Sequence, residues 1–108
     1  MPGWVEHSYG YHGDDGQKFG ANKTPGRWAT WAEGDVIGCG VDTERRAIWY
    51  TRNGTLLGDA FANVTEDLLC PVVGFHSNGE RVRINFGLTP FVYAGPGAEV
   101  QAPVLEAR

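Results

Sequence analysis

The side chains that could carry chemistry fall in two short stretches of this 108-residue chain. One is His7-Ser8 followed by His12-Gly13-Asp14-Asp15-Gly16, and the other is His76-Ser77. Histidine beside carboxylates is the raw material of metal sites and of acid–base or nucleophilic catalysis. The spacings fit neither. A calcium loop needs acidic residues at alternating positions, and here two Asp are adjacent. No histidine pair has the i, i+4 spacing of a helical zinc site, and no Gly-x-Ser-x-Gly elbow presents Ser8 or Ser77 as a nucleophile. No phosphate loop or dinucleotide fingerprint occurs, because the glycines follow turn positions. Asp14-Asp15-Gly16 therefore reads as a turn whose carboxylates bond nearby backbone. The expectation is a chain without catalysis, metal or cofactor.

Aromatic residues are the better candidates. Trp4, Tyr9, Tyr11, Trp49 and Phe86 lie at strand spacing, where aromatics are usually core. Phe19, Trp28, Phe75 and His76 fall in or beside loops, and aromatics exposed on loops anchor partner peptides. Tyr11, His12, Asp14 and Asp15 neighbour them in sequence. The candidate site is accordingly Tyr11, His12, Asp14, Asp15, Phe19, Trp28, Phe75 and His76.

Composition narrows the partner. Thirteen acidic and nine basic residues give a net charge of −4, which argues against nucleic acid or an anionic membrane. Arg45-Arg46 reads as a solvated turn, and Arg81 and Arg83 as the polar face of a strand. No apolar run approaches the roughly 20 residues of a spanning helix, and the N-terminus has no signal-peptide pattern. Cys39 and Cys70 lack metal-ligand spacing and read as buried small hydrophobes rather than a disulfide, which suits the cytoplasm or nucleus. The N-x-[ST] triplets at Asn22, Asn53 and Asn63 fall where turns are expected.

Sixteen glycines and six prolines imply many turns and few helices. The chain is organised around residues 34–61. Val36–Asp42 alternates Ile37, Cys39 and Val41 with Gly38 and Gly40, the period of a strand with one buried face. Ala47–Thr51 carries Ile48, Trp49 and Tyr50. Asn53-Gly54 then predicts a tight hairpin into Thr55–Leu57, with Asp59-Ala60-Phe61 ending that strand. Asn63–Asp67 is a connection, with at most one helical turn over Val64–Leu69. Leu69–Phe75 predicts a strand buried on both sides, and Ser77-Asn78-Gly79-Glu80 a hairpin turn into the alternating Arg81–Phe86. Pro90–Tyr93 is a last apolar patch, and Ala94–Arg108 reads as a flexible tail. One domain of six or seven short antiparallel strands predicts an all-β sandwich over residues 1–93.

The order of several motifs resembles the SPRY domain, in its Ran-binding-protein-like branch. The residues concerned are Ser8-Tyr9-Gly10-Tyr11-His12-Gly13-Asp14-Asp15-Gly16, Gly34-Asp35-Val36-Ile37-Gly38-Cys39 and Tyr50-Thr51-Arg52-Asn53-Gly54. Leu57-Gly58 with Ala60-Phe61, Pro71-Val72-Val73-Gly74, and Asn85-Phe86-Gly87 with Pro90-Phe91-Val92-Tyr93 complete them. The resemblance implies a concanavalin-like two-sheet β-sandwich that has no activity of its own. It implies binding of a short peptide segment of a partner protein through loops at one end. Phe19 and Phe75-His76 then match the loops that line the peptide site. Adaptor roles follow, in ubiquitin-ligase assemblies or Ran-binding-protein-like scaffolds.

Three departures accompany the resemblance. The family's first strands, which precede the Ser-Tyr-Gly-Tyr motif, have no counterpart, so the domain reads as N-terminally truncated. Its open sheet edge invites self-association. Arg27-Trp28-Ala29-Thr30-Trp31 replaces an aromatic-Gly-x-x-Phe approach. Asp59 and Cys70 stand where an apolar residue and a Tyr are usual. Two other readings are a lectin-like sandwich, with Trp28 or Trp31 stacking on sugar and Asp14 and Asp15 binding calcium, and a truncated fragment without function.

Overall fold

A computed structural model describes residues 1–95 and, for the backbone alone, 101–107. The described residues form seven strands and no helix: β1 (Gly10–Tyr11), β2 (Lys18–Phe19), β3 (Val36–Asp42), β4 (Ala47–Arg52), β5 (Thr55–Phe61), β6 (Val82–Asn85) and β7 (Gln101–Ala107). All pairings are antiparallel. β1 and β2 make a small ribbon, and the larger sheet runs β5-β4-β3-β7-β6.

The meander forms where alternation and turn chemistry placed it. Asn53 and Gly54 take φ of 50° and 83°, the left-handed pair that a two-residue hairpin requires. The Asn53 side chain fixes the corner twice: Oδ1 accepts from the Val36 N–H at 2.8 Å, and Nδ2 donates to Asp35 at 2.9 Å. The register sets Cys39 opposite Tyr50 and Val41 opposite Ile48, so these four share one face. On that face Tyr11, Ile37, Ile48, Tyr50, Ala60, Phe61 and Val64 form the core.

The other face is covered as well. Gly40 lies opposite Trp49, and a Cβ on Gly40 would come within 2.0 Å of the indole. Glycine is required there so that the ring can lie flat on the strand, and Tyr93 then packs on Trp49 at 5.5 Å between centroids. The apolar patch at 90–93 thus shields the centre of the sheet.

The sheet's edge at β5 is irregular. Ala60 and Leu57 are extra residues against β4, and the loop bonds across through Lys23 opposite Phe61 and Thr24 N–H to the Ala60 carbonyl at 2.9 Å. Bulges and covering loops are how edges avoid pairing with other chains. Asp59, unexpected in an apolar register, is gripped by both terminal nitrogens of Arg45, at 2.8 and 3.1 Å; Arg45 Nε also bonds Asp42. Arg46 pairs with Asp67 at 2.9 Å. The Arg45-Arg46 turn is therefore an ion-paired corner and not merely a solvated one.

Four expectations change. Leu69–Phe75 is not a buried strand: it has no ladder, Val72 is 63% exposed, and Cys70 is exposed. Proline at position 71 supplies no N–H, and the neighbour expected across the 77–80 turn, β6, pairs with β7 instead. Val64–Leu69 makes no helical turn. Trp4 lies outside any strand and is exposed. Part of the stretch read as a tail is β7, between β3 and β6; its remaining residues 96–100 and 108 lie outside the described residues. Pro103 fits inside β7 because Ala102 and Pro103 together face only Cys39, a bulge that asks no N–H of the proline.

Candidate functional site

The turn between β1 and β2 builds one wall of the site. His12 N–H bonds the Gln17 carbonyl at 2.9 Å, Gly16 N–H bonds His12, and Asp15 Oδ1 accepts from the Gln17 N–H at 2.9 Å. Asp15 is thus a turn-former, as its residue type suggested. The loop carrying both tryptophans is tied along this turn by Trp28 N–H to Gly16 and Trp31 N–H to Gly13.

This arrangement divides the predicted site residues. Tyr11, His12, Asp14, Phe75 and His76 line a single cleft of about 810 Å³. Its floor is the apolar face of the sheet: Ile37, Cys39, Val41, Ile48 and Tyr50. One wall is the chain from His7 to Asp14, and the opposite wall is Leu68–His76. At the rim, His76 Nε2 stands 4.0 Å from Asp14 Oδ2, with both side chains exposed. Phe75 beside them is 46% exposed.

Asp15, Phe19 and Trp28 do not line the cleft. Phe19 stacks on His12 at 4.1 Å and meets the edge of Trp4. His12 itself is buried, its Nε2 within 2.8 Å of the Pro2 carbonyl. Trp28 is half-buried, edge-on to Tyr11 at 5.3 Å, with Lys18 Nζ 4.6 Å from its ring centre. Tyr11 is core, its hydroxyl donating to the Ala29 carbonyl. Tyr11, Tyr50 and Lys18 thus pack against the Trp28 ring. Among the described residues no group of three His, Cys, Asp or Glu could hold a metal.

Burial sets the chemistry of the floor. It pushes the Cys39 thiol up to about 11 and the Tyr50 hydroxyl well above its ordinary value, so both stay neutral near pH 7. Cys39 and Cys70 are both free thiols. Trp31, which also lines the cleft, has its indole Nε1 buried without a hydrogen-bond partner. The site is therefore apolar below and polar at the lip, with one unsatisfied donor.

Sequence reasoning missed the floor, and it offered Trp31 only as a sugar-stacking residue. Alternation showed that Ile37, Cys39 and Val41 share a face, but not that the face stays open. It also missed Lys18, which is buried and donates to Thr24 Oγ1 at 2.7 Å. Its ammonium is held below its ordinary range, first by burial and then by Lys23.

Comparison with known proteins decides the family. The SPRY domain model matches residues 1–89, which span β1 to β6 and both walls of the cleft. The chain belongs to the SPRY domain family. Ran-binding protein 9 of Xenopus tropicalis is 47% identical over 94 residues, covering 86% of this chain and 17% of that protein. Ran-binding protein 10 of Danio rerio is equally identical over 86% of this chain and 15% of its own length. The Ran-binding proteins 9/10 homolog of Drosophila melanogaster is 44% identical over 86% of this chain and 10% of its own. The chain thus spans under a fifth of each of these relatives. No solved structure matches. The antiparallel, all-strand SPRY architecture and the Ran-binding-protein-like branch agree with the sequence reading.

Proposed function

We propose that this SPRY domain is a non-catalytic adaptor module that takes a short extended segment of a partner protein into the cleft over Ile37, Ile48 and Tyr50. The observation that carries this reading is the cleft itself, because its apolar floor lies beside a length of chain that pairs with nothing. Among the described residues, no strand ladder and no backbone-to-backbone hydrogen bond outside the ladders involves residues 68–76. An extended peptide laid along 69–75 gains main-chain bonds there, while an apolar side chain drops onto the floor. Phe75 supplies buried area at the lip, and Asp14 and His76 fix register. The cleft volume lies within the range of sites that enclose a few side chains. Membership of the SPRY family and similarity to Ran-binding proteins 9 and 10 support a protein-interaction role.

The test is selection of binding peptides from a random display library on the whole chain, followed by titration. Phe75→Ala and His76→Ala leave the melting temperature unchanged and weaken a selected peptide by about tenfold, the scale of one exposed anchor. Selected peptides that bind both variants as tightly as the parent chain would place the site elsewhere.

A further inference from the structure

Two Asn-Gly pairs occur in the chain, and the structure holds them differently. In Asn53-Gly54 the carboxamide is bonded at both ends, Oδ1 to the Val36 N–H at 2.8 Å and Nδ2 to Asp35 at 2.9 Å. Asn78-Gly79 lies in the exposed turn between the cleft's second wall and β6. Among the described residues the Asn78 side chain has no hydrogen-bond partner. Gly79 has φ of 88°, and a Cβ placed there would meet nothing within 4 Å. The turn is closed by the His76 N–H donating to Glu80 Oε2 at 2.9 Å, and both of these residues line the cleft. Each remaining asparagine is followed by Lys, Val or Phe, whose side chain shields the amide nitrogen behind it.

We infer that Asn78-Gly79 is a self-modifying site, which deamidates in water and places a carboxylate at the lip of the cleft. The Gly79 backbone nitrogen attacks Asn78 Cγ. The new C–N bond closes a succinimide ring, and the Cγ–Nδ2 bond breaks. Ammonia leaves, carrying the former Gly79 amide proton. Water then opens the ring at either carbonyl. One product is aspartate; the other is isoaspartate, in which the backbone runs through the side-chain carbon. The reaction needs no oxidant and no co-reactant besides water. Glycine leaves the attacking nitrogen unshielded, and an open turn lets the backbone swing that nitrogen onto Cγ. At Asn53 the same attack must first break the two hydrogen bonds that hold the carboxamide. The product changes the lip twice over. It adds negative charge two positions from both His76 and Glu80, and isoaspartate lengthens the backbone between them, which breaks the His76–Glu80 bond. The effect on a bound peptide rests on the cleft reading above.

Peptide mapping by mass spectrometry of the full chain, aged in warm neutral buffer, follows each asparagine. Asn78 converts at least about tenfold faster than Asn53, the scale of two hydrogen bonds that must open first. In urea, where neither turn is held, the two convert at similar rates. Asn78→Gln removes the acidic species that ageing produces on ion exchange. Equal rates at both sites in the folded chain overturn the proposal. So does a gap that persists in urea, since sequence and not structure would then cause it. The aged form, separated by ion exchange, binds a selected peptide at least about threefold more weakly than the fresh chain, the scale of one hydrogen bond at the lip. Equal affinity overturns the effect on the lip. A fresh chain that selects no peptide would fail the cleft reading, while the conversion rates still decide the modification.

Discussion

The hairpin Ala47–Phe61 and the segment Leu68–Phe86 have similar apolar content, yet the structure treats them differently. In the first, Ile48, Trp49, Tyr50, Ala60 and Phe61 are all buried. In the second, Leu68, Val72, Phe75, Ile84 and Phe86 are all exposed. The difference lies in what stands opposite. β4 has β3 and β5 on its flanks, the Tyr11 ribbon on one face and Tyr93 on the other. Leu69–Phe75 has no strand beside it and an open cleft beneath. Apolar sequence makes a strand possible, but a partner for its amides and a cover for its face make it one.

The sharpest way to break this comparison is to delete one phenyl ring from each region. Phe61 is 0% exposed and packs on Tyr9 at 4.9 Å between centroids. Phe61→Ala should cost about 3–5 kcal/mol, and Phe86→Ala under about 0.5 kcal/mol, both read from denaturant melts. Since small domains are stable by only about 5–15 kcal/mol, the first variant should be close to unfolding at 37 °C. Equal losses would mean that Phe86 is packed in solution.

Gly40→Ala should come next. The added methyl would overlap the Trp49 ring, so the indole must leave the strand and its contact with Tyr93. The expected loss is about 1–3 kcal/mol, with a red-shifted tryptophan emission. Gly26→Ala meets no atom but must hold φ of 89°, so it tests backbone strain without overlap. Amide exchange extends the contrast to the backbone. Tyr50 and Thr51 should exchange only on global unfolding, while 72–76 exchange within minutes. Slow exchange at 72–76 would mean that the segment is paired in solution, and the cleft would then be closed.

These contrasts show what was legible in the sequence. Asn53-Gly54, the Ile37–Val41 alternation and the bulk of Ile48-Trp49-Tyr50 specify a local structure, and each forms as read. Asp14 and His76 stand 4.0 Å apart although no sequence pattern carries a distance between them. Leu69–Phe75 misled because its residues suit a strand while its partner is set by the topology of other segments. Cys70, expected inside, is exposed for the same reason. β7 was illegible because Ala, Gly and Pro around it mask a period, and Pro103 is acceptable only at a bulge that depends on the register with β3. Phe19 and Trp28 read as loop surfaces, yet Phe19 packs on His12 and Trp28 on Tyr11. Local chemistry was readable; cover and pairing were decided at long range.

A smaller effect concerns pH. Tyr9, half-buried, donates through its hydroxyl to Glu66, tying the first wall of the cleft to the connection after β5. Burial first, then the hydrogen bond and the charge of Glu66, push the Tyr9 hydroxyl from 10.0 to about 12. The folded state therefore keeps a proton that the unfolded chain loses near pH 10. The stabilisation is fully present below pH 10 and fades as pH rises from 10 towards 12. Absorbance titration of the tyrosinates should show one group in this range that Tyr9→Phe removes, and melts of that variant should lose less stability across the same interval. A parent and variant that fall in parallel would detach Tyr9 from the ordered region.

The smallest effect is expected at the lip. Asp14 and His76 come from the two regions being compared, so their coupling measures how firmly one holds the other. Their separation is 4.0 Å and both side chains are well exposed, 64% and 50%. Ion pairs of this kind contribute little, because water screens the charges and ordering two free side chains costs entropy. A double-mutant cycle of Asp14→Asn and His76→Gln should give a coupling under about 0.5 kcal/mol in stability. A coupling above about 1 kcal/mol would need a desolvated, well-ordered contact. It would mean that the second wall is clamped to the first in solution, and that a bound peptide must prise the lip open instead of entering a cleft already wide.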